Sequence, residues 1–288
     1  MDKKTVGVLA VLAASLMWAV EPVLAKLSYQ NADFFQTSAV RAFFVMLTAL
    51  AFAILTRGSF QVENRKWPAV FYVALAATVF ADLLYFYALV SVPVLNAVLI
   101  GHLQPVFVVF LGFLFVKNDK LSKFDYAGIA LMLFAAVLVT SKSVENLVSF
   151  NIGTLGDLMV FAATFAWATT AIAVRKHLTG LNSGVLTFYR YLIALIVFVF
   201  YSFSATPIFV SNPYQVLVGV VVGVGMISYY EGLKRLKAAQ VSSLELASPF
   251  FAAVLGFFAL GEGITLLQLL GVLLLFFGVK FLSKKEPV

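Results

Sequence analysis

Long apolar stretches alternate with short polar connections from one end of the chain to the other. A helix needs about 20 predominantly apolar residues to cross the hydrocarbon core of a bilayer. Several connections carry helix-breaking residues, as in segments 91–93, 211–213 and 261–263. The pattern therefore predicts an all-α polytopic membrane protein with ten transmembrane helices. We expect them near residues 5–27, 34–55, 68–90, 94–115, 122–141, 154–175, 184–204, 214–233, 239–259 and 265–283.

The apolar pattern occurs twice along the chain. Segment 105–113 recurs as segment 249–257, with proline, phenylalanine, leucine and glycine at the same spacing. Each copy would hold five helices, an odd number, so the second must be inverted relative to the first, as in many secondary transporters. We therefore predict two five-helix repeats, residues 1–142 and 143–288, with a substrate site where they meet. Further matched pairs are Trp18 and Trp167, Arg41 and Arg190, Leu89 and Leu233, and Gly128 and Gly271.

The basic residues mark one side of the predicted membrane protein. Most of the 20 lysines and arginines fall in the terminal segments and in the even-numbered connections. Lys26 and Lys142 lie near the opposite side, and Arg41 and Arg190 lie inside predicted helices. Cytoplasmic loops of membrane proteins are enriched in lysine and arginine. We therefore predict a multi-pass protein of the cell membrane with both termini in the cytoplasm.

The composition excludes several classes of protein. The chain is 62% hydrophobic and 11% charged, whereas soluble domains are roughly 45–50% apolar and about 25% charged. The formal charge of +7 lies in loops, so the lipid bilayer is the expected partner and nucleic acid is not. The chain has no cysteine and no phosphate-binding loop. A single intramembrane histidine makes a poor metal site, so we expect no metal and no cofactor.

Short motifs in both copies resemble a known family. The first helix of each copy carries a tryptophan followed eight residues later by a basic residue, in 18–26 and 167–175. A leucine precedes the proline in 103–105 and 246–249, and segment 259–262 reads Ala-Leu-Gly-Glu. With an arginine early in each second helix, these motifs resemble the drug/metabolite transporter superfamily, in its ten-helix EamA-type branch. The resemblance covers essentially the whole chain and implies an exporter of amino acids, related metabolites or drugs.

The first copy departs from the family pattern at one place. It reads Val116-Lys117-Asn118 where the second copy has the Leu-Gly-Glu ending of Leu260-Gly261-Glu262. We therefore give little weight to Glu262 as a functional residue.

Two prolines stand beside ionisable residues in predicted helices. Proline lacks an N–H and clashes with the carbonyl four residues back. Pro249 therefore frees the carbonyl of Glu245, and Pro105 frees that of Gly101 beside His102. Exposed backbone acceptors at membrane depth are tolerated in a protein interior or a wet cavity, so both places are candidates for the wall of a substrate path. The alternative is that the prolines only bend the helices.

The first helix of the first copy repeats this combination. Pro22 frees the carbonyl of Trp18, and Glu21 lies on the same helix face as that tryptophan. Intramembrane ionisable residues are costly and are functional candidates by default. We predict that Glu21, Trp18 and the repeat counterpart Trp167 line the substrate path.

An acid flanked by aromatic rings occurs in the third predicted helix. Asp82 shares a face with Tyr85 and Phe86, whose repeat counterparts are Tyr229 and Tyr230. Such a group suits an ammonium ion, which gains an ion pair and cation–π attraction. The alternative is that the rings only pack or face lipid, because aromatic residues make up 15% of the chain.

The remaining intramembrane charges have structural as well as functional interpretations. Arg41 and Arg190 could bind a substrate carboxylate, or could pair with acids and hold the bundle together. Asp157 lies at a predicted helix start, where the macrodipole favours an anion. Glu231 can reach Lys234 on the next helical turn. We expect Asp157 and Glu231 to be capping or surface residues.

The residues and this resemblance together predict a secondary active transporter, an exporter of amino acids or related small metabolites working by alternating access. Glu21, Asp82 and His102 facing one cavity could exchange protons for the substrate. An excess of acids beside aromatic walls would favour an amine, and inward-facing arginines would favour a zwitterion. The alternatives are a cationic drug exporter, an intramembrane enzyme and a channel. The oligomeric state stays open.

The candidate site residues are Glu21, Asp82, His102, Glu245, Trp18, Tyr85, Tyr229, Tyr230, Trp167, Arg41 and Arg190, with helix kinks at Pro22, Pro105 and Pro249.

Overall fold

The computed structural model describes residues 3–115, 123–178, 180–203, 207–236, 241 and 244–282, and these residues contain helices and no strands. Ser242, which three-residue spacing predicts to share a helix face with Glu245 and Ser248, lies outside the described residues. The helices of the first half are α1 (Lys3–Ser28), α2 (Phe34–Leu55), α3 (Asn64–Ala88), α4 (Val94–Gly101), α5 (Gln104–Phe115), α6 (Lys123–Ser141) and the short α7 (Val144–Val148). Those of the second half are α8 (Leu155–Leu178), α9 (Ser183–Ser202), α10 (Pro213–Leu233), α11 (Ala247–Leu260) and α12 (Leu266–Leu282).

Six of these helices are long and apolar enough to cross a membrane, namely α1, α2, α3, α8, α9 and α10. Four shorter apolar helical stretches occupy Val94–Val108, Tyr126–Ser141, Ala247–Leu260 and Leu266–Phe281. Large apolar side chains such as Phe200 and Phe258 project outward from the bundle, as expected for a surface that faces lipid. The protein is therefore an all-helical multi-pass membrane protein.

Polar residues at the helix starts explain several helix boundaries. Asp33 caps α2 by accepting a hydrogen bond from the Gln36 N–H at 2.7 Å. Thr154 and Asp157 form a capping box at the start of α8, with hydrogen bonds of 2.8 and 3.1 Å between them. A capping box satisfies two backbone N–H groups that a helix start leaves open. The prediction that Asp157 is a capping residue is confirmed.

The three intramembrane prolines have different effects on their helices. The predicted helix at 94–115 is interrupted at His102 and Leu103, between α4 and α5, one turn from Pro105. Pro249 lies in the first turn of α11, where a missing N–H costs little. Pro22, in contrast, lies inside the continuous helix α1.

Two stretches of π-helix were not predicted. Residues Ala74–Asp82 of α3 and Val174–Leu178 of α8 form i→i+5 turns within longer helices. Such bulges are rare and shift the register of the side chains that follow them. The first of them ends at Asp82 and therefore sets the direction in which this carboxylate points.

The packing of the helices follows a two-fold pattern. Helix α1 packs on α10 as α8 packs on α3, and α2 packs on α10 as α9 packs on α3. Helix α1 also packs on α11, as α8 packs on α4 and α5. Equivalent helices of the two copies contact each other in two places, where α2 packs on α9 and α6 packs on α12. Exchanging the first five predicted helices with the last five therefore maps each of these contacts onto another, except that the α2–α9 and α6–α12 contacts map onto themselves. The buried core lies mainly between α2, α3, α8 and α9.

Two glycines allow α10 to approach α2 closely. A Cβ atom at Gly219 would lie 2.8 Å from the Arg41 carbonyl oxygen, and one at Gly223 would lie 2.7 Å from the Thr48 Cβ. Small residues spaced four apart are typical of close helix pairs in membranes. The two glycines therefore bring α10 against the part of the α2 backbone that carries Arg41.

Candidate functional site

Asp82 is the centre of a buried hydrogen-bond network. Its Oδ2 atom accepts from Arg41 Nη2 at 3.0 Å, from Tyr191 Oη at 3.3 Å and from Arg190 Nη2 at 3.4 Å. Its Oδ1 atom accepts from the Trp167 indole N–H at 2.8 Å. The donors come from α2, α8 and α9, and Asp82 is only 4% exposed. One carboxylate thus joins α3 to three other helices, two of which belong to the second half.

Arg41 extends this network to α1. Its Nη2 atom lies 3.0 Å from Glu21 Oε1 as well as 3.0 Å from Asp82 Oδ2. Glu21, Arg41, Asp82 and Arg190 therefore alternate in charge, and we call these four residues the ion tetrad. Two acids and two arginines give the tetrad a formal charge of zero, which reduces the cost of burying it.

One donor of the ion tetrad has no partner among the described residues. Arg41 Nε is buried and makes no hydrogen bond with them. A buried donor without a partner costs about 1–3 kcal/mol. This N–H is therefore free to bind an acceptor that enters the network.

Aromatic rings lie against both guanidinium groups. The Arg41 guanidinium carbon is 4.7 Å from the centre of the Phe86 ring. The Tyr191 ring lies between the two arginines, at 5.6 Å from Arg41 and 5.2 Å from Arg190. The sequence predicted that rings beside Asp82 would suit an ammonium ion. In the structure the cation at this place is the protein's own Arg41.

Arg190 depends on an acid from the other half of the chain. The repeat counterpart of Asp82 is Met226, and Arg190 Nη1 lies 3.7 Å from the Met226 sulfur. The Arg190 Nε atom donates to Thr78 Oγ1 at 2.6 Å. A thioether is a weak acceptor, so the carboxylate that Arg190 needs comes from Asp82.

A second polar group surrounds the interruption between α4 and α5. His102 Nδ1 lies 2.7 Å from the Val98 carbonyl oxygen, and His102 Nε2 lies 3.0 Å from the Glu245 carbonyl oxygen. The second of these acceptors is the carbonyl that Pro249 was predicted to free. We call His102, Val98 and Glu245 the histidine bridge, because it joins the two halves.

The Glu245 carboxylate interacts with the side chain of Trp18. The Trp18 ring packs edge-on against Tyr229, with 6.4 Å between the ring centres. The two repeat-related tryptophans thus both lie beside acids, Trp167 at Asp82 and Trp18 at Glu245, but the acids come from non-equivalent helices.

Glu262 makes two contacts that the sequence did not indicate. Its Oε1 atom lies 2.8 Å from Lys26 Nζ at the end of α1, and its Oε2 atom accepts from the Val94 N–H at 2.7 Å. This carboxylate therefore joins α1, the start of α4 and the end of α11. The low weight given to Glu262 from the sequence underrated its structural part in the bundle.

The structure groups most of the sequence candidates and separates a few. Glu21, Arg41, Asp82, Arg190 and Trp167 form one network. His102, Glu245, Trp18 and Tyr229 lie around the histidine bridge. Tyr85 packs on Trp167 at 5.3 Å, and Tyr230 packs on Tyr229 at 5.8 Å between ring centres. Glu231 pairs with Lys234, Arg235 and the Ser183 hydroxyl, as expected for a surface residue.

Two residues of the network were missed from the sequence. Thr78 lies one turn before Asp82 on α3, so the four-residue spacing could have indicated it. Tyr191 follows Arg190 directly, and neighbouring residues on a helix point in different directions. The bonds that Tyr191 makes to Arg41 and Asp82 follow from the packing of α9 between α2 and α3. In the part of the chain that the structure describes, no group of three or more His, Asp or Glu residues could hold a metal ion.

Comparisons with known proteins match almost the whole chain. The sequence profile of the EamA-like transporter family matches the chain twice, at residues 5–141 and 154–284. The chain is 29% identical over 234 residues to an uncharacterized transporter of Synechocystis, covering 76% of this chain and 66% of that protein. It is 23% identical over 291 residues to an uncharacterized transporter of Methanothermobacter thermautotrophicus, covering 95% and 84%.

One relative has a more specific name. The chain is 26% identical over 293 residues to a protein of Escherichia coli named "Probable amino-acid metabolite efflux pump", covering 95% of this chain and 93% of that one. A solved crystal structure shares the fold, with a TM-score of 0.71 at 19% identity over 96% of this chain and 97% of the other.

Proposed function

Because the chain belongs to the EamA-like transporter family, we propose that it is a secondary active exporter of amino acids or related small metabolites. It works by alternating access, and the ion tetrad is its substrate site. Transport is the activity of the family and of the named relatives, which leaves no support for the intramembrane enzyme considered from the sequence.

The observation that carries the proposal is the alternating charge of the ion tetrad. Three of its residues lie in the first half, and Arg190 of the second half pairs with Asp82. An amino acid carries an ammonium and a carboxylate on adjacent atoms. Its carboxylate can bind Arg41, whose Nε lacks a partner among the described residues, while its ammonium binds Glu21 or Asp82. The substrate then exchanges one set of ion pairs for another and leaves the net charge of the site at zero. An occupant of this kind avoids burying an unpaired charge.

The duplicated architecture supports alternating access. The family profile matches each half separately, and the helix contacts form matched pairs when the halves are exchanged. We propose that ten helices span the plasma membrane as two inverted repeats, residues 1–142 and 143–288, with both termini in the cytoplasm. The groups of the ion tetrad are at most 9% exposed, so substrate reaches them only when the two halves move apart.

A cationic drug is the second candidate substrate. The aromatic rings of Phe86 and Tyr191 would favour it once Arg41 moves aside. A permanent cation would nevertheless give the neutral tetrad a net positive charge, whereas a zwitterion would not. The balanced tetrad and the name of the E. coli relative together favour the amino acid.

Exchange across liposome membranes tests the proposal. Purified protein is reconstituted with unlabelled L-alanine, L-phenylalanine, L-lysine or L-glutamate inside, and uptake of the same labelled amino acid is followed. We expect exchange with at least one neutral amino acid and its loss in Asp82→Asn. The matched control is Asp33→Asn, an aspartate outside the network whose capping function asparagine can replace. Absence of exchange with all four compounds, together with exchange of a quaternary ammonium dye, would reject the amino-acid proposal.

A further inference from the structure

The imidazole of His102 contacts two hydrogen-bond acceptors at once. Both partners, the carbonyl oxygens of Val98 and Glu245, accept hydrogen bonds and have no hydrogen to donate. A neutral imidazole has one N–H donor and one lone pair, and a protonated imidazole has two N–H donors. Both contacts of the histidine bridge can therefore be hydrogen bonds only when the ring carries two protons.

The two contacts differ in what they join. The Val98 carbonyl is on α4, one turn before His102, so this bond stays within the first half. The Glu245 carbonyl shortly precedes α11 in the second half, 143 positions further along the chain. When the ring loses a proton, a lone pair faces one of the two oxygens. The bond to Val98 is the shorter of the two, at 2.7 Å against 3.0 Å, so we expect the remaining proton to stay on Nδ1. The contact between the halves is then the one that is lost.

The helices that pack against α4 form the surroundings of the ring. These are α1, α6, α8, α11 and α12. In the described part of those helices, no charged side chain pairs with the imidazole. The charged or titratable side chains that the structure describes on these helices and beside α11 are Lys3, Lys4, Glu21 and Lys26 on α1, Lys123 and Tyr126 on α6, Asp157, Arg175, Lys176 and His177 on α8, Glu245 and Glu262 beside α11, and Lys280 on α12.

We propose that the histidine bridge is the binding site of the coupling proton, separate from the ion tetrad. A proton from water binds the free ring nitrogen and closes the contact between His102 and the Glu245 carbonyl. Its release to the other side opens that contact and lets the halves separate. This inference rests on the proposed carrier function, because proton binding moves a substrate only if the two halves alternate. In this scheme the ion tetrad binds the substrate.

Proton and substrate fluxes measured together test this assignment. The protein is reconstituted in liposomes with a pH-sensitive dye inside, and labelled L-alanine, L-phenylalanine, L-lysine and L-glutamate are offered in turn. We expect about one proton moved per substrate in the natural protein, since one imidazole binds one additional proton. In His102→Gln, whose amide can donate to a carbonyl but does not titrate, the ratio should fall to zero. His177→Gln, at an exposed position, is the matched control and should keep the natural ratio.

The outcomes separate the two proposals. Substrate movement without protons in the natural protein, or an unchanged proton ratio in His102→Gln, would overturn the histidine bridge and leave the carrier function intact. Failure of all four amino acids to move would instead count against the proposed function.

A second measurement does not depend on transport or on a His102 variant. The chain has two histidines, so His177→Gln leaves His102 as the single imidazole for ¹⁵N NMR. We expect both ring nitrogens to carry protons at acidic pH and one of them to lose its proton as the pH is raised. A ring that stays singly protonated down to the lowest pH at which the protein remains folded would overturn the proposal.

Discussion

Arg190 reaches across the two halves of the molecule to Asp82, with 3.4 Å between its Nη2 atom and the Asp82 Oδ2 atom. The equivalent residue in its own half is Met226, whose sulfur lies 3.7 Å from Nη1. Two repeat-related arginines therefore share one aspartate. The arrangement of the helices is more symmetric than the placement of the acidic residues. This asymmetry ties the halves together at the proposed substrate site and can be tested residue by residue.

Replacing Asp82 by asparagine should cost both stability and transport. Removing one partner of a buried ion pair costs about 3–5 kcal/mol, because the remaining charge stays buried. We expect a lower melting temperature in detergent and a loss of substrate exchange of at least about tenfold, the factor that corresponds to about 1.4 kcal/mol. Adding Met226→Asp should recover part of the stability, since the new carboxylate would lie near Arg190. A double variant no more stable than Asp82→Asn would contradict the shared-aspartate description.

Tyr191 should act through its ring and its hydroxyl in separable ways. Tyr191→Phe removes the hydrogen bonds to Arg41 and Asp82 but keeps the ring between the guanidinium groups. We expect this change to cost about 1 kcal/mol of stability. Tyr191→Leu also removes two cation–π contacts and should cost about 1–2 kcal/mol more. Thermal unfolding of both variants checks the order, and equal losses would show that the ring contributes nothing.

The ion pair between Lys26 and Glu262 should hold one end of the bundle closed. Glu262→Gln weakens the bond to Lys26 and the bond to the Val94 N–H. Because the chain has no cysteine, the substitution Ala252→Cys at a buried position introduces a single thiol that reports on opening. We expect the labelling rate of this thiol to rise about 1.4- to fivefold, since a partly exposed ion pair contributes about 0.2–1 kcal/mol.

The control for this experiment is Glu63→Gln in the same Ala252→Cys background. Glu63 is an exposed acid that pairs with Arg65 and Lys66 before the apolar part of α3. Its replacement should leave the labelling rate of the introduced thiol unchanged. If both variants accelerate labelling equally, the Lys26–Glu262 pair has no specific role in closure.

The close packing of α10 on α2 should be sensitive to a single methyl group. In Gly219→Ala the new Cβ would meet the Arg41 carbonyl oxygen at 2.8 Å, so the backbone that carries Arg41 must shift. Overpacking of this kind typically costs about 1–3 kcal/mol. Gly263→Ala, where a Cβ meets nothing within 4 Å, is the matched control. Equal melting temperatures for the two variants would contradict a tight contact between α10 and α2.

Much of the fold followed from local rules in the sequence. Apolar length and composition indicated a multi-pass helical protein, and the macrodipole argument identified Asp157 as a cap. The interruption before Pro105 and the surface pairing of Glu231 also follow from interactions within a few residues. These features were predictable because each depends on one helix or one turn.

The partners within the site were not predictable in the same way. Sequence reasoning found Arg41, Arg190 and Asp82 as costly intramembrane charges, but it could not tell which acid each arginine would choose. That choice depends on how α9 packs against α3 and on the π-helical stretch that ends at Asp82. The sequence also allowed His102 to share a cavity with Glu21 and Asp82. In the structure its ring instead contacts the Val98 carbonyl on its own helix and the Glu245 carbonyl just before α11, and the second contact depends on the pairing of distant helices.

The ion tetrad is proposed to bind both charges of a zwitterion, and competition among charge forms of one amino acid is the sharpest test of this role. Exchange of labelled L-phenylalanine, or of whichever amino acid of the four exchanges fastest, is measured with its methyl ester and its N-acetyl form as competitors. Each derivative lacks one charge, and losing a partner of a buried charge pair costs about 2–5 kcal/mol. We therefore predict that each derivative competes at least about tenfold more weakly than the parent amino acid. An ester that competes as well as the amino acid would contradict this role, because the site would then recognise a cation alone.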